Sequence, residues 1–116
     1  MNVTYAFAGL VVTNRDRSAA WYERLFGRPP TFLPNDDEAV WQVANTASMY
    51  LVVGADGAGG GVMALVVDDV DATLAEIAER GILPERMYEI PGAGRKAVVI
   101  DPDGNAISLL EIPPAS

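Results

Sequence analysis

Two stretches decide the fold: "VVTNRDRSAAWYER", Val11 to Arg24, and "VVDDVDATLAEIAE", Val66 to Glu79. Laid over one another at a constant offset they match at Val11, Val12, Asp16 and Ala20, which correspond to Val66, Val67, Asp71 and Ala75. In each, an apolar strand-like run breaks at Asn or Asp and gives way to apolar residues at helical spacing. In the first, Asn14 or Asp16 can cap a helix over 16–26 whose inward face carries Trp21, Tyr22, Leu25 and Phe26, and Gly27 can end it. In the second, Asp69 opens a helix to Arg80 with Val70, Leu74, Ile77 and Ala78 on one face.

The same order continues outward from both. Residues 4–13 read as a strand apolar on both faces, and after Pro29 and Pro30 three short β-rich runs follow near 31–33, 39–43 and 48–53. The glycine-rich "GADGAGGG" (54–61) reads as a flexible linker; it lacks the Lys and Ser/Thr of a phosphate-binding loop. Beyond it, 62–67 reads as a strand, and strands at 86–89, 96–100 and 106–112 follow the second helix. The expected architecture is α+β, one domain over 1–116 built from two βαβββ modules, about 1–54 and 61–116.

Composition removes whole classes of chemistry. The 116-residue chain contains no cysteine and no histidine, so disulfides, thiolate nucleophiles, imidazole metal sites and hydrolytic triads are excluded. Sixteen acidic against eight basic side chains give a net charge of -8, which argues against nucleic acid as a partner. No apolar run reaches membrane-spanning length and no leader pattern is visible, so a cytoplasmic location is expected.

Three segments, "VVTNRDRSAAWYERLFG" (11–27), "ALVVDDVDATLAEIAERG" (64–81) and "DPDGNAISLLEI" (101–112), together resemble the vicinal oxygen chelate superfamily of glyoxalases, extradiol dioxygenases and bleomycin-resistance proteins. The resemblance spans nearly the whole chain. It implies that the modules' strands curl into a mixed sheet forming a cup, with helices outside and the ligand inside. In the family's enzymes a divalent metal sits in the cup on residues of the first and fourth strand of each module. Carried over by spacing, those positions are Phe7, Tyr50, Val62 and Ser108, which supply no carboxylate and no imidazole.

The acidic stretch "VVIDPDGNAISLLEI" (98–112) reads as a turn, in which Asp101 accepts backbone bonds, Pro102 fixes φ and Gly104 supplies a left-handed position. Alternation after it puts Ser108 and Leu110 on the cup side and Glu111 on the other, where a salt bridge or dimer contact is its expected use.

The same period places Tyr5, Phe7, Gly9 and Val11 on one face of the first strand, Ser48, Tyr50 and Val52 on the fourth, and Val62, Ala64 and Val66 on the fifth. With Ser108 and Leu110 they are expected to line an apolar cavity, to which Phe32, Trp41 and Tyr88 add stacking faces. Trp21 and Tyr22 are assigned to the core. The loop "YEIPGAGRKA" (88–97) reads as a surface loop, with a lid bringing Arg95 or Lys96 to an acidic ligand as the alternative.

The expected function is a metal-free, cofactor-free binder of a small aromatic or hydrophobic molecule, an antibiotic or metabolite, working as a homodimer. Its catalytic residues are none on this reading. A metal-independent isomerase, cyclase or lyase is the alternative, with Tyr50, Tyr5 or Glu89 as its acid or base, and a metal-dependent enzyme is a third.

Overall fold

The computed structural model describes residues 1–92 and 94–112. Its elements run β1 (Ala6–Val12), α1 (Arg15–Phe26), β2 (Phe32–Asn35), β3 (Glu38–Ala44), β4 (Ala47–Val53), β5 (Val62–Val66), α2 (Val70–Glu79), β6 (Arg86–Ile90), β7 (Gly94–Ile100) and β8 (Ala106–Glu111). The expected βαβββ order therefore occurs twice. β1 to β4 form a four-stranded mixed sheet in the order β1-β4-β3-β2, and β5 to β8 repeat it as β5-β8-β7-β6. In each, the first strand lies parallel to the last while the remaining pairs are antiparallel. The two sheets do not close into a barrel.

Local chemistry sets both helix starts. Asn14, in extended conformation, accepts from the Arg17 N–H at 2.9 Å, so the cap is Asn14 and Asp16 falls in the first turn. Asp69 accepts from the Ala72 N–H at 3.0 Å in the same way. α1 ends on Gly27 at φ 74°, whose N–H donates to the Glu23 carbonyl at 2.8 Å.

One hydrophobic cluster joins the modules. Leu10, Trp21, Tyr22, Leu25, Trp41, Met49 and Leu51 of the first pack with Met63, Ile77, Val99, Ile107 and Leu109 of the second. Both helices thus pack on the core side of the sheets and leave uncovered the opposite, outer face, the one expected to line the cup. On α2, Val70 and Ile77 are buried as expected, whereas Ala78 is exposed.

The stretch from Gly54 to Gly61 is not featureless. The Gly61 N–H donates to Asn105 Oδ1 at 2.8 Å, and its carbonyl accepts from the Ala106 N–H at 3.0 Å. A Cβ on Gly59, at φ 84°, would strike the Asp103 carbonyl oxygen, and one on Gly61 would lie 2.5 Å from Leu10 Cδ2. These glycines allow the backbone to dock on the 101–104 turn, a close approach that composition alone does not reveal.

Among the described residues, no helix is long and apolar enough to cross a membrane.

Candidate functional site

The acidic turn is bound to the first module. Asp101 is buried, and its Oδ1 accepts from the backbone N–H groups of Asp103, Gly104 and Asn105, each at 2.9 Å. Its Oδ2 accepts from the Tyr22 hydroxyl and from Asn105 Nδ2, both at 2.8 Å. Burial, then the adjacent Asp101 carboxylate, pushes the Tyr22 phenol far above its ordinary value, so it stays a donor. Tyr22 is thus a core residue, as expected, with a polar tip that ties α1 to the turn.

Asp103 points to the same module. It accepts from the Thr13 N–H at 3.2 Å, the Thr13 hydroxyl at 2.6 Å, Arg17 Nη2 at 2.9 Å and the Ser18 hydroxyl at 3.3 Å. Burial raises its pKa, but the Thr13 bonds, Arg17 and Ser18 together hold the carboxyl below its ordinary value. Because the folded value is depressed, this stabilisation is complete above the ordinary carboxylate value of about 4 and is lost as pH falls from there through the lower folded value. Asp103→Asn is therefore expected to flatten the acid limb of the stability profile; acid titrations of parent and variant with parallel slopes below about pH 4 would contradict this.

Glu111 lies on the helix side of β8, where its Oε1 accepts from the Val70 N–H at 2.9 Å and so supplements the α2 cap. Among the described residues, no three carboxylates converge in a way that could hold a cation. The positions the family's metal enzymes use, Phe7, Tyr50, Val62 and Ser108, lie on the outer faces of the two sheets, and none offers a carboxylate or imidazole. The residues present do not fit the metal.

Those outer faces gather most of the expected ligand contacts. On the first sheet, Phe7 lies beside Ser48, Gly9 beside Tyr50 and Val11 beside Val52. Val40 is the cross-strand partner of Tyr50 and Phe32 that of Val40, so Phe32 joins the same face. Tyr5 completes it: its hydroxyl and that of Ser48 are 2.6 Å apart, and its ring centroid is 5.0 Å from that of Phe7. A Cβ on Gly9 would strike the Tyr50 ring, so the phenol lies flat across the β1 backbone.

On the second sheet, Ala64 lies beside Ser108 and Val66 beside Leu110, with Val62 at the strand's start. Val98, Lys96 and Tyr88 continue the face across β7 and β6. The Lys96 ammonium stands 5.6 Å from the Tyr88 ring centroid. Arg95 points the other way and pairs with Asp71 at 2.5 Å, and Glu89, its neighbour across the strands, shares that side. The alternation of β6 and β7 thus leaves Lys96 alone of the two on the outer face. The stretch expected as a surface loop, with a lid as the alternative, contributes strands β6 and β7, with Gly92 at φ 75° between them and Gly94 at φ 101° opening β7; Ala93 lies outside the described residues.

Trp41 is placed elsewhere. It is 0 % exposed, its ring stands 6.0 Å from Tyr22 and 5.7 Å from Phe26, and its indole N–H donates to the Arg28 carbonyl at 3.1 Å. On β3 the outer face carries Glu38, Val40 and Gln42, while Ala39, Trp41 and Val43 face α1. The two polar residues of "EAVWQVA" are the signal that could have fixed this phase.

The outer faces are open in the single chain rather than a lined cavity. Phe7 is 59 % exposed, Val62 77 % and Val66 63 %. The sequence pattern identified the faces but not their closure, because alternation specifies which side a residue takes and not what stands opposite it.

Comparison with known proteins agrees with this architecture. Residues 4–109 match the model of the Glyoxalase/Bleomycin resistance protein/Dioxygenase superfamily. A glyoxalase/bleomycin resistance protein from Catenulispora acidiphila is 37% identical, with 94% of this chain and 98% of that one covered at a TM-score of 0.88. The bleomycin-binding protein of bleomycin-producing Streptomyces verticillus, solved with copper(II)-bleomycin, is 18% identical over 97% of this chain and 99% of that one at a TM-score of 0.80. A lactoylglutathione lyase from Agrobacterium tumefaciens is 20% identical over 96% and 95% at 0.79. No curated protein matches. On the family match over almost its whole length, the chain belongs to the glyoxalase/bleomycin resistance protein/dioxygenase superfamily.

Proposed function

We propose that this protein binds a planar aromatic or hydrophobic small molecule, an antibiotic or metabolite, on the outer faces of its sheets, without a metal and without altering it. The observation that carries the reading is the cluster of exposed Tyr5 and Phe7 with half-buried Tyr50 beside buried Ser48. It combines stacking surface with a hydroxyl pair able to orient a ligand's polar edge. Phe32, Val62, Tyr88, Ser108 and Leu110 extend the same kind of surface. A monomer rarely leaves Phe7, Phe32, Val62 and Val66 exposed together unless something covers them, so a homodimer in which subunits and ligand share these faces is part of the proposal. The bleomycin-binding protein of the same fold supports a sequestering role. A cysteine-free chain is compatible with a cytoplasmic setting.

The lactoylglutathione lyase of the same fold supports an enzyme as the second reading. Tyr5 with Ser48, or Tyr50, would then move the proton; Glu89 stands on the far side of its sheet.

A panel of planar antibiotics and aromatic metabolites, screened by thermal shift, is the direct test. A stabilising hit should weaken by about 2- to 10-fold in Phe7→Ala, the range expected for one lost aromatic contact. Tyr50→Phe should retain that binding; if it retains binding and abolishes turnover of the same compound, the enzyme reading replaces the binder. A panel without any hit, or hits indifferent to Phe7→Ala, would remove the basis for this site.

A further inference from the structure

A second site lies at the junction of the helix ends, on neither sheet face. α1 and α2 both end in a glycine of positive φ, Gly27 at 74° and Gly81 at 86°. Each glycine is crossed by an arginine of the other helix end. Arg80 passes over Gly27, where a Cβ would lie 3.1 Å from its Cζ, and Arg24 passes over Gly81, where a Cβ would lie 3.5 Å from its Nη1. These two arginines and Arg28 line a cavity of about 370 Å³ together with Glu23, Gly27 and Pro29.

Three of the chain's eight basic residues thus share one cavity in a protein of net charge -8. The guanidiniums of Arg80 and Arg28 are held by backbone carbonyls. Arg80 Nε donates to the Arg24 carbonyl and its Nη2 to the Leu25 carbonyl, while Arg28 Nη2 donates to the Gln42 carbonyl. Capping the last carbonyls of α1 explains part of this arrangement. It leaves most N–H donors unused, since each guanidinium has five and these bonds take two from Arg80 and one from Arg28. Among the described residues, none of the three is within salt-bridge distance of a carboxylate, whereas Arg15, Arg17 and Arg95 all are.

Three arginines that line one cavity, two of them pinned by carbonyls and none of the three in a salt bridge among the described residues, concentrate positive charge there, and an anion in the cavity would offset it. The geometry points to a binding site for a tetrahedral oxyanion, a phosphate group, held by Arg24, Arg28 and Arg80 at the paired helix ends. Guanidinium forks match phosphate oxygens better than they match chloride. Glu23, which lines the same cavity, opposes the anion and lowers its affinity.

Inorganic phosphate, titrated at constant ionic strength against chloride and followed by the amide NMR signals of Gly27 and Gly81, tests the site. Saturable shifts at both glycines are expected with phosphate and not with chloride. Phenyl phosphate, run as a second arm, reports whether an ester binds more tightly than the free ion. Arg24→Gln, which removes an exposed side chain, and Arg28→Gln should each weaken binding about fivefold or more, in line with the loss of one charge-assisted contact. Glu23→Gln should tighten it, and Arg86→Gln, on the far strand β6, should leave it unchanged. Shifts that chloride reproduces, or an affinity indifferent to Arg24→Gln and Arg28→Gln, would overturn the assignment.

Discussion

Asp101→Ala is expected to cost about 3–5 kcal/mol of folding stability, the range for removing one partner of a buried, charged hydrogen-bond network. Five donors converge on this carboxylate: three backbone N–H groups of the turn, the Tyr22 hydroxyl and the Asn105 amide. Alanine removes the side-chain acceptor from all five, although the Gly104 N–H keeps the Asp101 backbone carbonyl and the Asn105 amide keeps Val11, and it leaves the Tyr22 hydroxyl, on a residue 0 % exposed, without its acceptor. The loss propagates, since Asn105 also donates to the Val11 carbonyl at 3.0 Å and receives the Gly61 N–H. The turn, the glycine-rich connection and the end of β1 meet at this one side chain.

Urea unfolding of the variant is the measurement. Tyr22→Phe, which removes a single donor, separates the contributions and should cost about 1.5–3 kcal/mol. If Asp101→Ala cost no more than an ordinary surface substitution, within about 0.5 kcal/mol, the turn would be an ornament of the hairpin and not the clasp between modules.

The second large effect concerns Trp41. Trp41→Ala should destabilise by about 3–5 kcal/mol, because it empties the space between β3 and α1 where the ring meets Tyr22 and Phe26. Trp41→Phe keeps most of that volume and leaves the Arg28 carbonyl without its indole donor, a loss of about 1 kcal/mol. Neither change touches the outer face, so the affinity of any ligand that responds to Phe7→Ala should be the same in Trp41→Phe as in the parent. A ligand that lost affinity in Trp41→Phe at unchanged stability would move Trp41 into the binding surface.

These predictions separate two kinds of aromatic residue that composition treats alike. Tyr5, Phe7 and Tyr50 were assignable to a face by alternation, whereas Phe32 and Tyr88, grouped with Trp41 as added stacking faces, take theirs from the pairings Phe32 with Val40 and Tyr88 with Lys96. Trp41 was not assignable, because both parities of β3 carry apolar residues and only packing against α1 selects one. Arg95 and Lys96 split for the same reason, one turning to Asp71 at the start of α2 and the other to Tyr88.

The sequence by itself left the first cap between Asn14 and Asp16 but determined the element order, the Asp69 cap, the two-module repeat and the lack of carboxylate or imidazole donors at Phe7, Tyr50, Val62 and Ser108. All of these are local or periodic, so they are carried by residue type and spacing. Only the tertiary structure decided that Asp101 and Asp103 hold α1 and β1, that Gly59 and Gly61 admit the backbone to that turn, and that Arg24 and Arg80 cross over each other's glycines. The physical reason is sequence separation. Tyr22 and Asp101 stand 79 residues apart, and a pairing at that range is set by how the two sheets and helices pack around one core, which no local pattern encodes.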